Sequence, residues 1–405
     1  MPRLRRGWNS SPSGLVLALV AWAGALAVAA REERAALRNP AVGADFLPLR
    51  HAATALLHGQ SVYHDPQFVY PPTATPLFAP TTLGSFREAT IVWLTVELLA
   101  VALAITLAVK NARLRHWSAV AAVTTAVIIK GDVTVDSISL GNLSLVLAPI
   151  AVIVLLLFEG NRWTAGCALL VGSLLVKPLL APLLLLPAVR RKWRALTTCL
   201  LPAALLLALA VLLMPGGQDA GEVLSRVARG SDLRGSGAVF NLSLRGLAES
   251  HHMTSVAVWG SAVLVLVAAA AVLSWVRNSG DGRGATPVGG VLILAALLAG
   301  SLSEVHYLLV ALGATLTAVA LDRRPSTLMA AVPGMLVLLA PRQYLADFAP
   351  DASGLQFRYV AGELLLLVPL MRIALMGWRP AVLTTPHEQQ QAPIHHATQT
   401  RLSQK

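Results

Sequence analysis

The chain has 405 residues, 56% of them hydrophobic and 13% charged, with a formal net charge of +12. A soluble domain carries roughly 25% charged residues, so a large soluble core is excluded and an all-α polytopic membrane protein is expected. The positive charge does not point to nucleic acid. It lies in short clusters between apolar runs, the pattern of membrane-topology signals rather than of a phosphate-binding face.

A spanning helix needs about 20 apolar residues, within a range of roughly 17–25. In chain order, spans are predicted at 14–30, 89–109, 117–130, 142–158, 163–176, 179–189, 195–214, 255–276, 285–300, 305–320, 327–340 and 360–377. The runs 163–176 and 179–189 are separated at Lys177-Pro178 and read as two short helices or one bent hairpin, which puts the count at 10 to 12. The first run follows a basic start without a small-residue cleavage site, so it is read as a retained helix. The layout expected is a cytoplasmic N-terminus over 1–13, a membrane domain over 14–380 and a disordered cytoplasmic tail over 381–405, rich in Gln, Thr, His and Pro. Cys167 and Cys199 lie inside apolar runs and read as small buried hydrophobes.

The positive-inside rule orients these runs. With twelve crossings, the clusters Arg3 to Arg6, Lys110 to Arg115, Arg162, Arg190 to Arg194, Arg277 to Arg283, Arg323-Arg324 and Arg379 fall on one side, the cytoplasm. The outer side receives the segments 31–88, 131–141, 215–254, 301–304 and 341–359. Arg31, Arg34 and Arg38 in the first of these, and Arg226, Arg229, Arg234 and Arg245 in the third, sit there against the rule, which suggests an anionic partner.

The outer segments hold the candidate chemistry. Asp45 stands just outside the first span. It reads either as a carboxylate able to take a proton from a substrate hydroxyl or as the N-cap of a helix over Leu47 to Leu57, with Pro48 in its first turn. Lys177 lies between two apolar half-helices, where its charge favours an anionic neighbour unless it snorkels to the headgroups. Tyr63 and Phe68 to Pro72 read as an interfacial anchor or as the rigid wall of a pocket. Asn142, Asn241, Glu304, His306, Tyr307 and Arg358 each fall at the outer end of a predicted span; together they are the inventory of a polar cavity able to hold a sugar.

Asp45-Phe46 with Pro48, Tyr63, Tyr70-Pro71-Pro72 and Phe78-Ala79-Pro80 resemble the first outer loop of the actinobacterial polyprenyl-phosphate-sugar glycosyltransferases of family 87. Val176 to Leu180, Pro182 to Pro187 and Lys192 to Leu196 are similar to the arabinosyl branch of that family, which forms α-(1→3) branches in mycobacterial cell walls. Weaker echoes occur at Gly141-Asn142, Phe240 to Ser243, Ser301 to Tyr307 and Phe357 to Tyr359.

The resemblance implies a GT-C glycosyltransferase fold in the cell membrane, with its active site on the extracytoplasmic face. It implies a decaprenyl-phosphate-arabinofuranose donor, an arabinan or arabinogalactan acceptor, surrounding membrane lipids and an inverting transfer. Asp45 becomes the general base. Lys177 becomes the contact to the donor phosphate, with Arg358 or Arg245, and Tyr70, Asn142, Asn241, His306 and Tyr307 become substrate-binding. No metal or other cofactor is implied, and no nucleic acid. Three alternatives remain open: a mannosyltransferase using polyprenyl-phosphate-mannose, a transporter of lipid-linked sugars, and a non-catalytic scaffold.

Overall fold

The computed structural model describes residues 12–112, 114, 116–229, 241–279, 282–301, 303–322, 324–340 and 352–376. The tail read at 381–405 and the residues before Pro12 lie outside them. Among the described residues the chain is all-helical, with no β-strand.

Every apolar run read from the sequence is helical. Five helices are long and apolar enough to cross a bilayer alone: α1 (Pro12–Ala36), α3 (Phe86–Asn111), α9 (Trp193–Leu213), α12 (Thr254–Asn278) and α14 (Leu308–Asp322) with the 3₁₀ turn Val305–Tyr307 before it. Shorter apolar helices are α6 (Ser144–Glu159), α7 (Trp163–Leu174), α13 (Ala285–Ala299) and α15 (Pro325–Leu339). The 3₁₀ segment Pro178–Leu184 runs into α8 (Leu185–Val189), and α16 spans Ala352–Leu375. Helix α3 starts where Ser85 and Glu88 form a capping box, each satisfying the other's backbone N–H.

The segment 131–141, expected only as an outer connection between two spans, is largely a helix, α5 (Asp132–Leu140), turned 69° from α4 (Trp117–Lys130). Gly131 makes the break, in extended conformation and against Leu339. Asp132 then starts a new helix, where a carboxylate favours the positive end of the helix dipole. The run 215–254 likewise contains two helices, α10 (Ala220–Ala228) and α11 (Leu244–Ser250).

The centre of the bundle is α3, α6, α13, α14 and α16, whose facing residues include Leu145, Val152, Val291, Leu294, Val310 and Leu366. Helices α9 and α12 turn Leu201, Leu212, Leu213, Val258, Trp259 and Leu266 outward. Apolar exposure on this scale is stable against lipid tails, not against water.

One end of the bundle carries a separate cap. Helix α2 (Phe46–Leu57) packs on a 3₁₀ segment, Pro72–Leu83, and the pair has its own core of Phe46, Leu49, Phe68, Tyr70 and Phe78. Phe46 stacks on Trp93 of α3 with ring centroids 5.5 Å apart. Pro72, Pro76 and Pro80 remove backbone donors along the 3₁₀ segment, which keeps it from winding into an α-helix. The opposite end gathers Arg162, Arg190 to Arg194 and Arg277, basic clusters read as topology signals, together with Glu159.

Candidate active site

Asp45 is fixed by backbone before its side chain is considered. Its N–H donates to Leu140 O at 2.8 Å, and the Gly43 N–H donates to Ser139 O at 3.0 Å. The turn that receives them ends α5 at Gly141, which has φ +69°. A Cβ there would stand 3.1 Å from Phe46 Cβ and 3.3 Å from Gly43 Cα, so both its conformation and its space call for glycine. Trp93 Nε1 donates to Gly141 O at 2.9 Å and closes the arrangement.

Asp45 precedes α2 by one residue, yet its side chain makes no capping hydrogen bond. Its carboxylate turns the other way and accepts from Asn142 Nδ2 at 2.7 Å. The orientation of that amide follows from its other partners. Asn142 Oδ1 lies 3.0 Å from the Ser144 N–H and 3.1 Å from Lys177 Nζ. Both of those groups only donate, so the amide oxygen faces them and the NH₂ faces Asp45. Ser144 Oγ donates to the same oxygen at 2.8 Å and accepts from Lys177 Nζ at 2.9 Å. One amide thus joins the carboxylate to the cation.

Lys177 does not snorkel. It is 8% exposed, with Nζ 4.5 Å from the ring centroid of Tyr307 and 5.5 Å from that of Tyr70. Pro178 cannot donate a backbone hydrogen bond, so α7 stops and the chain opens at the depth where the ammonium is needed. Thr73 of the cap donates to Leu175 O and ties cap to hairpin at this point. Tyr63 donates its hydroxyl to Tyr70 O at 2.9 Å. Burial, with the Asp219 carboxylate adding to it, pushes the Tyr63 phenol well above its ordinary range, so it remains a donor.

These residues surround a cavity of about 570 Å³. Asp45, Asn142 and Lys177 form its polar side, Tyr70 and Tyr307 its aromatic side, and Leu224 and Val227 of α10 an apolar wall. Gln67 and Glu304 also line it. Beside it runs a second, apolar groove of about 720 Å³ between α8, α12 and α13. The two meet along the chain, with Ala299 in the groove and Gly300 and Ser301 in the cavity wall.

The structure therefore brings Asp45, Tyr70, Asn142, Lys177 and Tyr307 together. His306 is 1% exposed and stands behind the cavity, its ring edge-on to Tyr307 with centroids 4.6 Å apart. It touches the site through Asp45 and Glu304, not through the open space.

Asn241 and Arg358 are placed elsewhere. Asn241 is a buried strut: Nδ2 donates to Ser301 O at 2.9 Å, Oδ1 accepts from the Ser303 N–H at 3.0 Å, and its carbonyl accepts from Gln356. Arg358 donates Nε to Val337 O at 2.8 Å and Nη2 to Ala340 O, closing the end of α15, while Nη1 lies 3.2 Å from Asp132 Oδ2. Arg245 pairs with Glu249 one turn along α11, at 2.8 Å. Each is held by nearby backbone or acid, which sequence position alone did not reveal. Ser144 and Gln67 were not singled out from the sequence. An Asn-x-Ser spacing at a helix start, the local signature of a side chain receiving its own i+2 N–H, was the available signal for Ser144.

A model of glycosyltransferase family 87 matches residues 68–300. An α-(1→3)-arabinofuranosyltransferase of Corynebacterium glutamicum is 29% identical over 307 residues, 71% of this chain and 70% of that protein. An α-(1→3)-arabinofuranosyltransferase of Mycobacterium tuberculosis is 28% identical over 162 residues, 38% of this chain and 37% of its own length. No solved structure matches. With more than half its length matched by the family model and its apolar helices built for a bilayer, the chain belongs to glycosyltransferase family 87 and is a membrane glycosyltransferase.

Proposed function

We propose that this enzyme transfers arabinofuranose from decaprenyl-phosphate-arabinofuranose to a cell-wall arabinan, forming an α-(1→3) branch with inversion on the extracytoplasmic face of the cell membrane. The observation that carries the reading is the Asp45–Asn142–Lys177 unit: a carboxylate and a cation fixed by one amide on the wall of one cavity. The cavity lies at the end of the bundle away from the basic clusters, as an outer-face site requires under the positive-inside rule. The adjoining apolar groove suits the first isoprene units of a polyprenyl donor.

Asp45 acts as general base. It takes the proton of the acceptor hydroxyl as that oxygen attacks C1 of the sugar from the face opposite the phosphate. The C1–O bond breaks, and its electron pair leaves with the polyprenyl phosphate. Lys177 meets the negative charge that accumulates on the leaving phosphate, from a buried position where its effect exceeds that of an exposed lysine. Tyr70 and Tyr307 present ring faces for the sugar. Asn142 has its oxygen occupied by three donors, so it holds Asp45 and Lys177 at a fixed separation instead of reading the substrate.

The test is transfer from synthetic polyprenyl-phosphate-arabinofuranose to a short arabinan in membranes, comparing wild type with Asp45→Asn. Transfer by wild type and its loss in the variant is the expected outcome. Transfer only from polyprenyl-phosphate-mannose would overturn the donor assignment, and full transfer by the variant would overturn the base.

A further inference from the structure

We infer that His306 acts through Asp45 as a positioning residue and proton relay, carrying the acceptor's proton from Asp45 to Glu304 along a path that the substrates do not block. The inference rests on Asp45 being the general base. His306 Nδ1 lies 4.0 Å from Asp45 Oδ2, and Nε2 lies 2.9 Å from Glu304 Oε2. The imidazole therefore bridges the two carboxylates of the site. Both of its nitrogens are buried without a well-aligned hydrogen bond, including the close one to Glu304. A buried imidazole left in this state costs stability, and such groups are tolerated where catalysis uses them. Catalytic hydrogen bonds are often long or misaligned before substrate binds and tighten in the complex.

The need for a relay follows from the shape of the site. Asp45 opens on the cavity. Once donor and acceptor fill that space, the solvent route from its carboxyl group closes. His306 stands behind the wall, so neither substrate displaces it. After transfer Asp45 carries the acceptor's proton. Asp45 gives it to the Nδ1 lone pair, and the proton already on Nε2 passes to the Glu304 carboxylate. Glu304, 15% exposed at the cavity edge, releases it to water. The ring is left as its other tautomer, and proton exchange with water, one proton gained at Nε2 and one lost from Nδ1, restores it before the next cycle. No oxidant, reductant or co-reactant is consumed.

The role predicts a kinetic pattern that a packing role does not. In His306→Gln the first turnover proceeds near the wild-type rate, because Asp45 begins ionised. Later turnovers are limited by the return of Asp45 to the carboxylate, giving a burst of one product per enzyme. Steady-state kcat falls about 10- to 100-fold, the scale of one proton-transfer catalyst, and KM for donor and acceptor falls with it, so that kcat/KM stays near wild type. His306→Ala opens a space that imidazole enters, and added imidazole restores at least about tenfold of the lost rate. Glu304→Gln shows the same burst.

The assay uses polyprenyl-phosphate-arabinofuranose and the short arabinan, with Asp45→Asn alongside. A folded His306→Gln that turns over at the wild-type steady-state rate, beside an inactive Asp45→Asn, overturns the relay and leaves the base in place. Full activity in Asp45→Asn overturns both. A His306 variant with raised KM, no burst and no rescue by imidazole assigns the residue to packing. If both His306 variants fail to fold, Glu304→Gln decides alone: no burst there overturns the relay. A wild type inactive with both this donor and its mannose counterpart overturns the functional reading and the relay with it.

Discussion

The two ends of the bundle use the same kinds of residue for opposite purposes. At the basic end, Glu159 accepts from the Gly284 N–H at 2.7 Å and from the Thr286 N–H and hydroxyl at 3.1 and 3.2 Å. Arg190 donates to the carbonyls of Trp275 and Ser279 at 2.9 and 3.1 Å, with its guanidinium 4.1 Å from the Trp275 ring centroid. Acid, base and aromatic ring are all present, but their partners are helix ends, so the polar capacity is consumed in holding α12 and α13 to their neighbours. At the other end Asp45, Asn142, Lys177 and Glu304 bond side chain to side chain or face open space. A carboxylate that caps a helix is a strut. One that sits at a helix start and does not cap it, as with Asp45, turns its charge instead toward Asn142 and the cavity.

That contrast can be broken at several points. Asp45→Asn has the largest expected effect, about 10²–10⁴-fold in kcat, with thermal stability close to wild type; a large fall in Tm instead would class Asp45 with the struts. Arg358→Gln removes one member of a buried pair and two bonds to the end of α15, for a loss of about 3 kcal/mol of stability. Its donor KM, measured on the folded fraction, stays unchanged. A raised donor KM there would return Arg358 to the phosphate. Lys177→Met removes a charge-assisted contact worth roughly 1.5–3 kcal/mol, which should appear as about a 10- to 100-fold fall in kcat/KM; weak loss would mean another cation meets the phosphate. Glu159→Gln weakens the cap on α13 by about 1 kcal/mol. It lowers Tm slightly and leaves the rate per folded enzyme unchanged, so a rate defect there would show that the two ends are coupled.

Much of the bundle was legible from hydropathy alone, because lipid demands long apolar helices whatever their neighbours. The exceptions share a cause. Residues 131–141 look like a polar loop, but Gly131 and Asp132 are the punctuation of a new helix that lies at a steep angle to the last. Of the residues around the cavity, Asp45 and Lys177 could be named as charges beside or between apolar runs, Tyr70 as an interfacial aromatic, and Asn142 and Tyr307 as polar residues at span ends. Asn241 and Arg358 meet the same criterion and miss the cavity. Their destinations depend on which carbonyls lie nearby after packing, and those carbonyls come from residues 18 to 60 positions away. No local pattern encodes such distances.

The junction between cavity and groove also bears on which molecules this enzyme ignores. Within the proposed reading, the wall passes from the apolar groove at Ala299 to the cavity at Gly300 across a single peptide bond. A free sugar phosphate or a nucleotide sugar would occupy one side of that seam and leave the other bare. Each buried methylene contributes about 0.8 kcal/mol, so four of them outweigh a tailless competitor by roughly 200-fold. Selectivity for a membrane-borne donor would then need no contact with the sugar: the enzyme would recognise the compartment its substrate travels in.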